Sequence, residues 1–373
     1  MADSQTLRSA LRLHLADGVG ARTFDRLIEA FGSVEAAVAA GPGGWRQVRG
    51  IGEKTCQAIA GVNDEQVQAE LDAAADGGVE IVSRDDGAFP AALRAIYDCP
   101  PVLYIRGRLA EEDAVAVGVV GARRCTHYGL EQGRRFGELL GQAGFTVVSG
   151  GARGIDTAAH RGALAAGGRT LAVMGCGLGK IYPPENAKLF ARIVAEDRGA
   201  IVSELPMGVG VQARNFPLRN RIISGLSLGV LVVEAATRSG ALITAREAIE
   251  QGREVFAVPG RVDSPMSRGT NELIRDGSAT LTQDLDDVLG PLGEVGRRMT
   301  PPEETPEDRL AAAALDETEK KLVQALREGE LRIDDLVRRT DLSSAQVAAA
   351  MTMLAIKGLV IQQPGQLFAI KRR

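Results

Sequence analysis

The chain has 373 residues, 45% hydrophobic and 25% charged, the balance of a soluble globular protein long enough for two or three domains. Its 48 acidic against 44 basic residues give a net charge of −4, which excludes a polycation, so any anion-binding surface must be a local patch. Four scattered cysteines without a Cys-x-x-Cys pair and only three histidines argue against a disulfide framework or a metal site. The lack of a long apolar run argues against a membrane span or signal peptide, so a cytoplasmic protein with reduced thiols is expected.

Residues 1–75 read as a small helical domain. "GVGARTFDRLIEAF" is a glycine turn followed by apolar residues at helical spacing (Phe24, Leu27, Ile28, Phe31), and "RGIGEKTCQAIAG" repeats the plan around Ile51. An apolar residue between two glycines at a helix start resembles a helix-hairpin-helix turn, whose N–H groups touch nucleic-acid phosphate. A sterile-alpha-motif-like bundle that only packs or binds protein is the other reading, since Lys54 is the one base just after the second turn.

Residues 80–290 alternate short apolar runs with helical stretches. The runs are "VLYIRG", "AVAVGVVGA", "TVVSGG", "TLAVMG", "AIVSEL", "GVLVVEA" and "EVFAVPG". Consecutive Val, Ile and Leu mark strands buried on both faces, and the alternation predicts an α/β core with an extended Rossmann-like, doubly wound parallel sheet. Residues 291–315, rich in proline and acids, read as a linker. Residues 316–373 read as a winged-helix-like domain of three helices and a hairpin around Pro364-Gly365. Its third helix carries Lys357 only at its end and Gln346 as the lone base-edge candidate, which favours protein contact over groove reading.

Ligands of an open α/β sheet sit at the carboxyl ends of its strands. Past those ends come Gly121, Arg123, Arg124 and Thr126; Gly150, Gly151 and Arg153; Gly175, Gly177, Gly179 and Lys180; and Arg238, Ser239 and Gly240. Arg214, Arg219 and Arg221 precede one strand with no acid among them. Glycine lets backbone N–H groups approach an anion, and arginine supplies a forked donor for phosphate oxygens. No P-loop is present, and "GCGLGK" lacks the third glycine of a dinucleotide fingerprint. Asp156 and His160, four apart, could meet on a helix, but a surface pair or N-terminal capping by the aspartate explains them as well. Glu204 and Glu234 have no evident acid–base partner, and Cys125 has no ordered base beside it. No catalytic, cofactor or metal residues are assigned.

"GARRCTHYG", "VVSGGARGIDTAAHRGAL", "LGKIYPPEN", "RNFPLRNRIISGLS", "VVEAATRSGALITAREAIEQGREVFAVPG" and "SRGTNELIRDGSA" occur in that order, and together they resemble the DNA-processing protein A (DprA/Smf) family over about residues 80–290. The resemblance implies a cytosolic bacterial homodimer that binds and protects single-stranded DNA. It further implies loading of RecA recombinase during natural transformation, with single-stranded DNA-binding protein as a further partner and no membrane, cofactor or enzymatic turnover. Carried over by motif, it assigns DNA contacts to Arg123, Gly150, Gly151, Arg153, Lys180, Arg219, Arg221, Arg238 and Gly240, with hydroxyls from Thr126 and Ser239. Phe216 is either a base-stacking platform or ordinary core filling. The alternative function is a Rossmann-like enzyme acting on a nucleotide or nucleoside phosphate, although Arg238-Ser239-Gly240-Ala241 stands where such enzymes carry their glycine-rich catalytic block.

Overall fold

A computed structural model describes residues 4–299, 315–327, 329–357, 359–363 and 367–370. The chain divides into two compact units, Met1–Thr300 and Pro301–Arg373. No helix among the described residues is long and apolar enough to cross a membrane.

The first unit opens with six helices: α1 (Ser4–His14), α2 (Ala21–Phe31), α3 (Val34–Ala39), α4 (Gly41–Trp45), α5 (Glu53–Gly61) and α6 (Asp64–Asp76). Their ends follow local chemistry. Gly32 closes α2 with φ 84°, Ser33 caps α3, and Asn63 and Gln66 bond reciprocally across the start of α6. Phe24, Leu27 and Ile59 of these helices, with Ile51 of the turn before α5, share one apolar core with Val79, Ile81, Tyr104, Met174 and Phe190 of the segment that follows.

That segment is a nine-stranded sheet in the order β1-β2-β6-β5-β4-β3-β7-β8-β9. The strands are β1 (Val79–Ser83), β2 (Val102–Gly107), β3 (Ala116–Val120), β4 (Thr146–Ser149), β5 (Thr170–Val173), β6 (Gly199–Ser203), β7 (Gly229–Val232), β8 (Glu254–Ala257) and β9 (Thr280–Leu281). The helices between and after them are α7 (Ala91–Arg94), α8 (His127–Gln142), α9 (Ile155–Ala165), α10 (Ala187–Ala195), α11 (Asn215–Gly225), α12 (Gly240–Glu250), α13 (Arg268–Arg275), α14 (Asp286–Leu289) and α15 (Gly293–Met299). Strands β3 to β9 run parallel, and the order reverses between β3 and β7. The consecutive apolar runs arise because both faces are covered: Val117 and Val119 of β3 enter the core beneath α8 and α9, while Ala116 and Val120 enter the core beneath α11 and α12.

Three details depart from the sequence reading. "VLYIRG" is β2, which pairs antiparallel with both β1 and β6. β1 and β9 were not among the seven runs. The stretch read as a linker from residue 291 begins as α15, with Gly296 buried; residues 300–314 lie outside the described residues.

Helices α8 and α9 pack at very short range. A Cβ at Gly137 would overlap the carbonyl of Ala159, and one at Gly162 would overlap the carbonyl of Arg134. Bare backbone at this seam draws the N-termini of the two helices together beside the loops that follow β3 and β4.

In the second unit, helices Glu317–Arg327, Ile333–Thr340 and Ser344–Ile356 accompany a three-stranded sheet. The Pro364-Gly365 turn lies outside the described residues. The Lys357 ammonium is held at 2.6 and 2.7 Å by the buried Glu319 carboxylate, so the lone base of the third helix points to its own unit.

Candidate functional site

A cleft of about 810 Å³ opens where the strand order reverses. Its walls are the loop after β3 (Arg123, Arg124), the loop after β7 with the start of α12 (Arg238, Ser239, Gly240), and one face of α11 (Phe216, Arg219, Asn220, Ile223). The helix supplies positions i, i+3, i+4 and i+7, a single stripe. Asn220 joins the two helical walls by donating to the Gly240 carbonyl at 3.2 Å. Four arginines and one aspartate, Asp156, line the cleft, so a chain that is acidic overall carries a locally basic concavity. Arg124 and Arg238 are exposed, with no ion-pair partner among the described residues.

A row of planar groups crosses the cleft. The Arg123 guanidinium lies 4.4 Å from the Phe216 ring centre. Tyr182 stands 5.9 Å from Phe216 at an interplanar angle of 56°, and the Arg153 guanidinium lies 5.7 Å from the Tyr182 ring. Phe216 is half-buried rather than core filling, and its ring rests on Gly175, where a Cβ would come within 3.1 Å. Gly175 thus supports an aromatic ring. Arg153 donates to Glu185 at 2.7 and 2.9 Å; a backbone bond of its own and then this guanidinium hold that carboxyl below its ordinary range.

The loop at Gly150 and Gly151 behaves differently from the phosphate cradle expected of it. Gly151 has φ 63°, a turn that glycine adopts freely. The N–H of Ala152 donates to the Asp156 carboxylate at 3.3 Å, and that of Gly150 bonds the same group, so an internal acid fills the nest. Asp156 is buried; desolvation raises its pKa, against Arg219 and these N–H groups. Arg219 lies against Gly150 on the cleft floor and donates to the Val173 carbonyl at 2.5 Å. Burial lowers its pKa to about 10, and it stays cationic at neutral pH.

Several other assigned residues lie outside the cleft or bond within the protein. Arg221 is buried, with its guanidinium forked onto Glu204 at 2.7 and 3.0 Å and its Nε on Asp98 at 2.9 Å. Two positions after Arg219, it sits on the opposite side of α11 and holds that helix to the end of β6. The Thr126 hydroxyl donates to Glu234 at 2.6 Å and accepts from the Gly129 N–H as the α8 cap, so its proton is already committed. Ser239 caps α12 by accepting the Ala241 N–H at 3.3 Å, while Gly240 has open space above its backbone. Lys180 borders a separate apolar hollow of about 320 Å³ with Ile181 and Phe190, not the cleft. Asp156 and His160 do not work together. Thr170 donates its hydroxyl to the Val147 carbonyl, so His160 Nδ1 must carry the proton that bonds Thr170 at 2.7 Å, and burial lowers the imidazole pKa to about 3. Burial also raises the Cys125 thiol. Glu234, read as having no partner, receives both the N–H and the hydroxyl of Thr126 and so ties the loop after β3 to β7. Sequence reasoning missed Tyr182, although an aromatic beside a glycine-lysine turn and two prolines was a usable signal.

Comparison with known proteins matches the DNA recombination-mediator protein A family over residues 80–293, a DprA-like N-terminal HHH domain over 4–73 and a DprA winged helix domain over 304–366. Protein Smf of Synechocystis is 36% identical, over 93% of this chain and 94% of its own length. The X-ray structure of Streptococcus pneumoniae DNA processing protein A superposes with a TM-score of 0.68 at 33% identity, covering 76% of this chain and 97% of that one. A Helicobacter pylori structure, described in terms of a single-stranded DNA binding mode, gives 0.51 at 30% identity, covering 57% and 95%.

Proposed function

Because the chain belongs to the DNA recombination-mediator protein A family, we propose that its cleft binds single-stranded DNA with little regard to base sequence. The observation that carries this reading is the meeting of four arginines with the Phe216–Tyr182 aromatic pair in one concavity at the sheet's reversal point. Guanidinium groups suit phosphate oxygens, and ring faces suit any base. The single-strand binding mode described for the Helicobacter pylori relative supports it. The finer reading is that a homodimer in the cytoplasm protects the bound strand and hands it to a RecA-class recombinase; the family's description as a recombination mediator supports the hand-over.

The test is fluorescence anisotropy with labelled oligonucleotides of several sequences across a salt series. Wild type is expected to bind all of them, with affinity falling steeply with salt. Arg238→Ala should weaken every sequence alike. Undiminished binding by that variant would overturn the assignment of the cleft.

A further inference from the structure

Beyond the contact of Arg153 with Tyr182 lies a second concavity. A groove of about 260 Å³ runs between the first turns of α8 and the outer face of α9, lined by Leu130, Arg153, Thr157, Arg161, Glu185 and Asn186. We propose that this groove is a second binding segment for the same nucleic-acid strand, carrying it beyond the cleft along α9. The proposal rests on the single-strand reading of the cleft.

Continuity is the first argument. Arg153 links the two places: it borders the groove, and its guanidinium lies over the ring of Tyr182, which lines the cleft. Asn186 is buried and donates to the Gly151 carbonyl at 2.9 Å and to the Thr157 hydroxyl at 2.7 Å, so the groove wall is fixed to the loop that carries Asp156's partners. A strand leaving the aromatic row meets a preformed wall.

Charge and surface are the second argument. Arg161 is exposed and has no ion-pair partner among the described residues. It shares a helix face with Thr157 and Ala158, four and three positions earlier, which are also in the groove. Arg153 lies in the loop just before α9 and Arg161 in the second turn of that helix, so the two cations are spaced along the groove. The groove's one carboxylate, Glu185, is already neutralised by Arg153. Leu130 is 42% exposed and gives the apolar contact that a sugar or base face needs. With Arg153 paired to Glu185, Arg161 is the groove's surplus cation, and beside the apolar Leu130 it suits a phosphodiester chain continuing from the cleft better than a separate acidic polypeptide.

The test compares a short thymidine oligomer of about six nucleotides with a long one of about eighteen, a span that brackets common single-strand site sizes. Wild type should bind the long oligomer more tightly. Arg161→Ala should weaken the long oligomer about fivefold, and flatten its log–log salt dependence by about 0.7, the signature of one lost single-strand phosphate contact. Binding of the short oligomer should not change. Leu130→Ala should weaken the long oligomer with its salt slope intact. An equal loss on both lengths, no loss on either, or no advantage of length in wild type overturns the groove while leaving the cleft reading in place. Failure of wild type to bind either oligomer removes both. Displacement of the long oligomer but not the short one by oligoglutamate would assign the groove to an acidic polypeptide and also overturn the proposal.

Discussion

Replacing Phe216 with leucine separates stacking from charge. The ring rests on Gly175 with the Arg123 guanidinium 4.4 Å from its centre, so an incoming base must take the place of that cation. Base–aromatic stacking is worth about 1–3 kcal/mol per base. The cation–π contact given up is worth about 0.5–1 kcal/mol at an exposed site. The difference, about 0.5–2 kcal/mol, weakens the dissociation constant roughly 2- to 30-fold. No phosphate contact is lost, so the salt dependence should keep its slope, whereas Arg123→Ala should flatten it by about 0.7. Anisotropy titrations of wild type and both variants at four salt concentrations measure all these quantities. Unchanged affinity in Phe216→Leu, or a slope change matching that of Arg123→Ala, would refute the stacking role.

Arg221→Ala should lower stability rather than binding. It strands the largely buried Glu204 carboxylate, a cost toward the lower end of about 3–5 kcal/mol, visible as a fall in Tm, with normal affinity per folded molecule. Lys180→Ala should leave oligonucleotide affinity and salt slope as in wild type, since Lys180 borders a different hollow. Gly137→Ala forces a methyl group into the Ala159 carbonyl and should cost about 1–3 kcal/mol in thermal unfolding, with a loss of affinity as the α8 and α9 N-termini separate. For His160 the folded pKa is about 3 and the ordinary value 6.5, so the unfolded chain binds more protons between those limits and stability falls as pH drops through that window. Asp156 and Glu204, raised by burial, act with the opposite sign. The comparison is therefore with His160→Asn, which should show a shallower loss of Tm on acidification than wild type.

Strands buried on both faces announce themselves, which is why β3 to β8 could be read from runs of valine, isoleucine and leucine. Direction is not written in such a run: the apolar pattern of β2 is the same whether it pairs parallel or, as here, antiparallel with β6. At the site, the arginines after β3 and β7 were legible because strand ends fix where loops emerge. Arg219 and Arg221 were not distinguished because "RNFPLRNRIISG" was taken as a basic block, not as a helix. On a helix, Phe216, Arg219, Asn220 and Ile223 share one face and Arg221 cannot join them. Gly150 and Gly151 suggested a phosphate nest, but the acid that fills it, Asp156, lies a few residues on, where sequence alone leaves its direction open.

The helices before β1 are roofing for the sheet as much as a module of their own. Tyr104 and Ile81 share one apolar space with Phe24, Leu27 and their neighbours. A chain cut back to residue 80 would present that oily flank to water, and its self-association would reflect bared interior rather than any native contact between subunits.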